Sequence, residues 1–99
     1  MSRYDVYALA SGSALVLDVQ SDLLEPLNTR VVVPLMPPAS APKPARRLNP
    51  VFELDGQSLV MVTQFTAAVA CAELGKPIGN LETHSAEITA ALDMLFQGF

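Results

Sequence analysis

A mainly β, α+β fold is what this chain of 99 residues predicts: five or six strands in antiparallel hairpins, then one C-terminal helix packed on the sheet, all in a single domain spanning 1–99. Three observations carry that expectation. Short runs rich in Val, Leu and aromatic residues alternate with turn chemistry, and Asp55-Gly56 sits between two of them. Six of the eight prolines crowd into residues 34–50, a density that no helix or core strand tolerates. From Thr83 onward the apolar spacing switches to that of a helix.

Each element has its own reason. Tyr4–Leu9 is rich in aromatic and β-branched types, which suit a pleated surface, and Ser11-Gly12-Ser13 supplies a turn. Ala14–Val19 is a continuous apolar run ended by Asp18 and Gln20, as expected of a strand buried on both faces. Ser21–Thr29 holds Pro26 and Asn28 and reads as a loop, in which the pair Leu23-Leu24 is unusual because loops face water. Arg30–Leu35 has three consecutive valines, whose restricted χ1 favours strand. Residues 36–47 form an extended loop, with a short turn at 46–48. Val51–Leu54 and Gln57–Val62 flank Asp55-Gly56 as a type I′ hairpin, because both central residues must take positive φ; the second strand runs on toward Phe65. Val69–Ala72 adds one more short strand, and Glu73–Asn80, with Gly75, Pro77 and Gly79, is a loop. In the helix, Ile88, Ala91, Leu92, Leu95 and Phe99 share a face. Thr83 is the expected N-cap, Glu87 favours the positive dipole end, and Gly98 is the stop.

Composition bounds the function. Hydrophobic residues make up 51% and charged residues 16%, so disorder is excluded and a small surface must be covered with few charges. The surplus predicts apolar surface buried against another chain, first of all a second copy in a homodimer. The net charge is -4, with residues 1–47 at +1 and 48–99 at -5, which disfavours non-specific binding to nucleic acid. Lys43, Arg46 and Arg47 form a local basic cluster, which reads first as a solvated loop and alternatively as a surface for an acidic partner. No apolar run reaches transmembrane length and no signal-peptide pattern opens the chain, so the expectation is cytoplasmic, without membrane contact. A single cysteine, Cys71, in the apolar setting Val69–Ala72, is expected to be a buried, inert thiol in a reducing compartment.

Catalytic and cofactor signatures are missing from the sequence. One His, one Cys and no Trp cannot assemble a zinc site of N and S ligands, and His84 reads as a surface residue at the helix start. Neither a nucleophile elbow nor a phosphate-binding glycine loop is present. Asp18 and Asp22 are best explained by turn hydrogen bonds. No metal, cofactor or catalytic residue is therefore expected, and the chain reads as a non-enzyme.

Five blocks give a resemblance, in order along almost the whole chain: Leu17-Asp18-Val19-Gln20-Ser21-Asp22-Leu23-Leu24, Arg30-Val31-Val32-Val33-Pro34-Leu35, Leu48-Asn49-Pro50-Val51-Phe52, Gly56 with Val60-Met61-Val62-Thr63-Gln64, and Ala91-Leu92-Asp93-Met94-Leu95-Phe96-Gln97-Gly98-Phe99. Together they resemble the CcdB family, toxins of type II toxin–antitoxin modules. The resemblance implies an SH3-like barrel of the CcdB/Kid/MazF type: a five-stranded antiparallel sheet, a small wing sheet and a C-terminal helix. It also implies a homodimer that binds the A subunit of DNA gyrase and traps its cleaved complex with DNA. A CcdA-like antitoxin would neutralise it, and operator DNA would be bound only through the antitoxin complex.

Carried over by position, the gyrase-facing residues are Leu23, Leu24, Asp93, Phe96, Gln97, Gly98 and Phe99. Lys43, Arg46 and Arg47 are the residues expected to meet acidic antitoxin side chains. The plasmid-borne toxins have Trp where this chain has Gln97 and Asn where it has Asp93. A glutamine cannot reproduce the contact of that ring with a gyrase arginine, and Phe99 is the expected substitute. Two other readings follow from the same residues. One is an endoribonuclease on the same fold, using Arg30 or Arg46 with Asp18. The other is a non-toxic chromosomal relative that keeps antitoxin binding.

Overall fold

The computed structural model describes residues 2–10, 12 and 14–99. Ser11 and Ser13 of the expected first turn lie outside the described residues. Among the described residues, seven strands form one antiparallel sheet: β1 (Asp5–Ala8), β2 (Leu15–Asp18), β3 (Thr29–Met36), β4 (Val51–Leu54), β5 (Gln57–Met61), β6 (Ala67–Ala70) and β7 (Gly79–Asn80). Helix α1 (Ser85–Gln97) follows. Their order is β4-β5-β3-β2-β1-β7, with β6 also paired to β3.

The hub is β3. One edge pairs with β2 in the register Leu15↔Leu35 to Asp18↔Val32. The other edge is shared, with Thr29–Val32 taken by β6 and Leu35–Met36 by β5. Pro34 sits at the changeover. The bond from Val19 N–H to the Val31 carbonyl fixes the β2 side of the ladder, so the Pro34 nitrogen points to the shared edge. There β6 has left, and only the Pro34 carbonyl is used, accepting from Val62 N–H at 3.0 Å. A proline is thus placed where a missing N–H breaks no existing pair.

The sheet curls into a nearly closed barrel. β4 and β7 are the two ends of the strand order, yet the Leu54 side chain lies against Gly79, where an added Cβ would stand 2.8 Å from Leu54 Cδ1. Inside are Val6, Leu17, Val33, Leu35, Phe52, Leu59 and Met61, closed by Leu81, Ile88 and Ala91 from the helical end. The opposite faces of β1, β2 and β3 are buried too, through Tyr7, Val16 and Val32 packed with Leu74. That matches the strand buried on both faces expected at Ala14–Val19.

The β4–β5 hairpin turns as expected, with Asp55 at φ 51 and Gly56 at φ 78. Elsewhere boundaries move. β5 stops at Met61, and a 3-10 turn at Thr63–Phe65 replaces the extension toward Phe65. The strand expected at Val69–Ala72 is β6, two residues earlier, and Cys71–Glu73 is a 3-10 turn. Two residues of the expected loop, Gly79–Asn80, form β7 on the edge of β1. Thr83 is not the N-cap. A 3-10 turn at Glu82–His84 precedes the helix, Asn80 Oδ1 accepts from Glu82 N–H at 2.7 Å, and His84 occupies the cap position without a side-chain cap bond.

Tyr7 is buried, and its hydroxyl reaches Asp5 Oδ2 at 3.4 Å. Burial, with the charges of Asp5 and Asp18, pushes the phenol from 10.0 up to about 12. The folded chain holds this proton over a range where the unfolded chain releases it. The associated stability is complete below about pH 10 and is lost as pH rises to about 12. Urea unfolding across that range is expected to show an alkaline loss in the parent chain that is absent from Tyr7→Phe.

Candidate functional site

The segment after β2 is built around buried charge. Arg30 and Asp18 are both completely buried, with Nη2 at 2.7 Å and Nε at 2.8 Å from Asp18 Oδ2. The other carboxylate oxygen accepts from Gln20 N–H at 3.0 Å, and Arg30 Nη2 also donates to the Gln20 carbonyl at 3.3 Å. Burial raises the Asp18 carboxyl above the usual range, while the hydrogen bonds from Arg30 and from Gln20 act against the rise. This disposes of a catalytic role for the pair: neither Arg30 nor Asp18 meets solvent, so the ribonuclease arrangement that would use them has no access to a substrate.

From this base the chain turns outward. Asp22–Leu24 forms a 3-10 turn, with Ser21 Oγ accepting from Leu23 N–H at 3.2 Å. Arg3 N–H donates to Asp22 Oδ1 at 2.7 Å and ties the turn to the N-terminal segment. The result is an apolar projection: Leu23 is 91% exposed, and Leu24 and Leu27 are about half exposed. Leu27 carries no signal in the sequence, because a single leucine after a proline gives no pattern. The bond from Leu27 N–H to the Leu24 carbonyl, 3.0 Å, which holds it next to the 3-10 turn, is visible only in three dimensions.

The second apolar feature is the helix end. Gly98 takes φ 81, and its N–H bonds back to the Asp93 and Met94 carbonyls at 3.2 and 3.1 Å, as expected of a left-handed cap. Phe96 is 72% and Phe99 61% exposed, with Gln97 and Gly98 exposed beside them and Asp93 half-buried. The phenylalanines therefore do not close the core. The helix instead buries Ile88 and Ala91 in the barrel core and lies against the Thr63–Phe65 turn. Among the described residues no hydrogen bond joins it to the leucine turn, so the two features are built independently.

Lys43, Arg46 and Arg47 are all exposed, and Arg47 takes φ 68 in the turn at 46–48. Asn49 anchors that turn. Its side chain accepts from Ala45 N–H at 2.9 Å and donates to the Met61 carbonyl at 3.0 Å and to Gln64 Oε1 at 2.7 Å. An open, mainly apolar cavity of about 700 Å³ lies at the barrel mouth, walled by Leu15, Pro34, Leu35, Leu59, Phe65 and the start of the proline-rich loop. His84 packs on Phe52 at 4.8 Å and meets Glu87 Oε1 at 3.1 Å. Cys71 is half-buried rather than buried, because it sits in a surface turn. Its Sγ lies 3.6 Å from the Leu27 carbonyl.

Comparison with known proteins gives a family and a fold. The family model described as CcdB protein matches residues 3–98. Among solved structures, the chain is similar to an endoribonuclease in complex with its cognate antitoxin from a mycobacterial species, with 17% identity, 97% of this chain and 94% of that chain covered, and a TM-score of 0.79. It is also similar to the Mycobacterium tuberculosis toxin MazF-mt6, with 18% identity, 93% and 95% coverage and a TM-score of 0.75. A third is a structure of an Mtb toxin, with 18% identity, 95% and 99% coverage and a TM-score of 0.69. At these identities the structural likeness establishes the fold alone.

Removing one partner of a buried ion pair leaves an uncompensated charge, at a cost of roughly 3–5 kcal/mol. Arg30→Met is expected to destabilise the chain by about that amount, measured by urea denaturation. The double variant Asp18→Leu/Arg30→Met is expected to recover most of the loss, since no charge is then left buried.

Proposed function

We propose that this chain, which belongs to the CcdB family and is in class the toxin of a toxin–antitoxin module, acts by binding the A subunit of DNA gyrase and trapping its cleaved complex with DNA. The observation that supports this reading is the pair of exposed apolar features at positions matching the family's gyrase-facing residues: Leu23 and Leu24 on the turn, and Asp93, Phe96, Gln97, Gly98 and Phe99 at the helix end. Aromatic and aliphatic side chains left in water are the anchors a protein interface uses. Homodimerisation belongs to the same proposal, as does a CcdA-like antitoxin whose acidic residues meet Lys43, Arg46 and Arg47. The module acts in the cytoplasm, and DNA is contacted only by the toxin–antitoxin complex.

A second reading has one observation in its favour: one of the solved structures with this fold is described as an endoribonuclease. Of the residues expected for that chemistry, Asp18 and Arg30 are buried and Arg46 is exposed, so a ribonuclease site would need another partner for Arg46. The third reading, a relative that has lost toxicity, rests on Gln97.

One assay separates them. Purified chain mixed with gyrase, supercoiled plasmid and a long RNA is expected to accumulate linear DNA and leave the RNA intact. Degraded RNA without gyrase-dependent cleavage would replace the proposal with the second reading, and neither effect would favour the third. Phe99→Ala is expected to lower gyrase-dependent cleavage at least tenfold; full activity would show that Phe99 does not stand in for the missing Trp. Charge reversal at Lys43, Arg46 and Arg47 is expected to weaken antitoxin binding, measured by calorimetry, more than gyrase binding. Equal loss of both would refute the assignment of the basic cluster.

A further inference from the structure

Gln20 belongs to the motif that opens the leucine turn, and both its amide N–H groups and its amide oxygen are bonded within the chain. It is 7% exposed, although it is uncharged, flexible and next to a surface loop. Its Nε2 donates to the Leu24 carbonyl at 3.3 Å and to the Thr29 carbonyl at 3.1 Å. Its Oε1 accepts from Val31 N–H at 3.0 Å. Its own N–H and carbonyl are held by Asp18 and Arg30. One amide thus bridges the start, middle and end of the segment 20–31.

We propose that Gln20 is a positioning residue: its side-chain amide presets the turn carrying Leu23, Leu24 and Leu27 in the conformation that docks on the protein partner. The inference rests on the gyrase-binding reading of that turn and adds how its affinity is set. The physical argument is entropic. A loop of nine residues with outward leucines would sample many conformers when free and would have to be ordered on binding. Cross-bracing in the free chain removes that cost in advance. Two of the three bonded groups, the carbonyls of Leu24 and Thr29, belong to exposed residues. Water can replace the amide there, so removing the brace should loosen the turn more than it destabilises the barrel.

Gln20→Met keeps length and volume and removes all three side-chain bonds. Amide hydrogen exchange by mass spectrometry and binding of a gyrase A fragment are the two measurements. The expected result is exchange at 21–29 at least tenfold faster than in the parent, with β2 and β5 still protected, and a roughly tenfold weaker affinity. Unchanged exchange at 21–29 would overturn the proposal, and so would faster exchange with unchanged affinity. Loss of protection throughout the sheet would also overturn it, because Gln20 would then be a stability residue. If the parent chain does not bind the fragment, the gyrase reading fails by itself, and exchange at 21–29 alone decides whether Gln20 braces the turn.

Discussion

Asp18 and Arg30 meet across β2 and β3 at 2.7 Å, on the sheet face that also buries Tyr7, Val16 and Val32. A buried ion pair adds little net stability, because desolvating both charges offsets most of their attraction. Its value lies in what it forbids. A slip of one residue between β2 and β3 would turn one of the two side chains to the opposite face and separate the pair. Two largely apolar strands buried on both sides have few other means of choosing a register. The pair supplies one, and the Gln20 carbonyl and N–H are drawn into the same network. The leucine turn therefore leaves the sheet from a fixed point.

The consequences spread through β3. Its register with β2 decides which of its edge groups face β6 and β5, and Pro34 falls at the point where one partner gives way to the other. That division lets a single strand of eight residues join two parts of the sheet that approach from different directions. Curvature then brings the ends of the order together, and Gly79 gives Leu54 room to close the seam. Residues without side-chain chemistry do this work: a proline that donates nothing and a glycine that occupies no space.

Much of this was legible in the sequence, for reasons that can be named. Asp55-Gly56 specifies its turn because both positions need positive φ, which few residues accept. Ile88, Ala91 and Gly98 mark a helix face and its stop because period and cap are local properties. The valines of β3 were legible as strand, but the sharing of its edge was not, because partner choice is decided by contacts distant in sequence. Thr83 failed as a cap because Asn80, bonded to the Glu82 N–H, starts a tighter turn first. The Leu23-Leu24 pair was visible as an anomaly, while Leu27 and the brace at Gln20 were not. A buried glutamine looks in sequence like any surface polar residue, and only the three bonds of its amide distinguish it.

The fold is shared with a solved structure described as an endoribonuclease, and a scaffold does not by itself select an activity. The distribution of side chains bears on it more directly. Cleaving RNA calls for cations along a track of phosphates and acid–base groups open to the strand. Here Arg30 is sealed in the sheet with Asp18 as its partner, while Lys43, Arg46 and Arg47 are gathered on one loop. What the surface offers instead is apolar: leucines on a cross-braced turn, and phenylalanines on either side of a left-handed glycine cap. The cost of leaving such groups in water is recovered only when another surface covers them. A chain with 51% hydrophobic residues and few charges has put part of its surplus where a protein partner, rather than a polyanion, gains most from burying it.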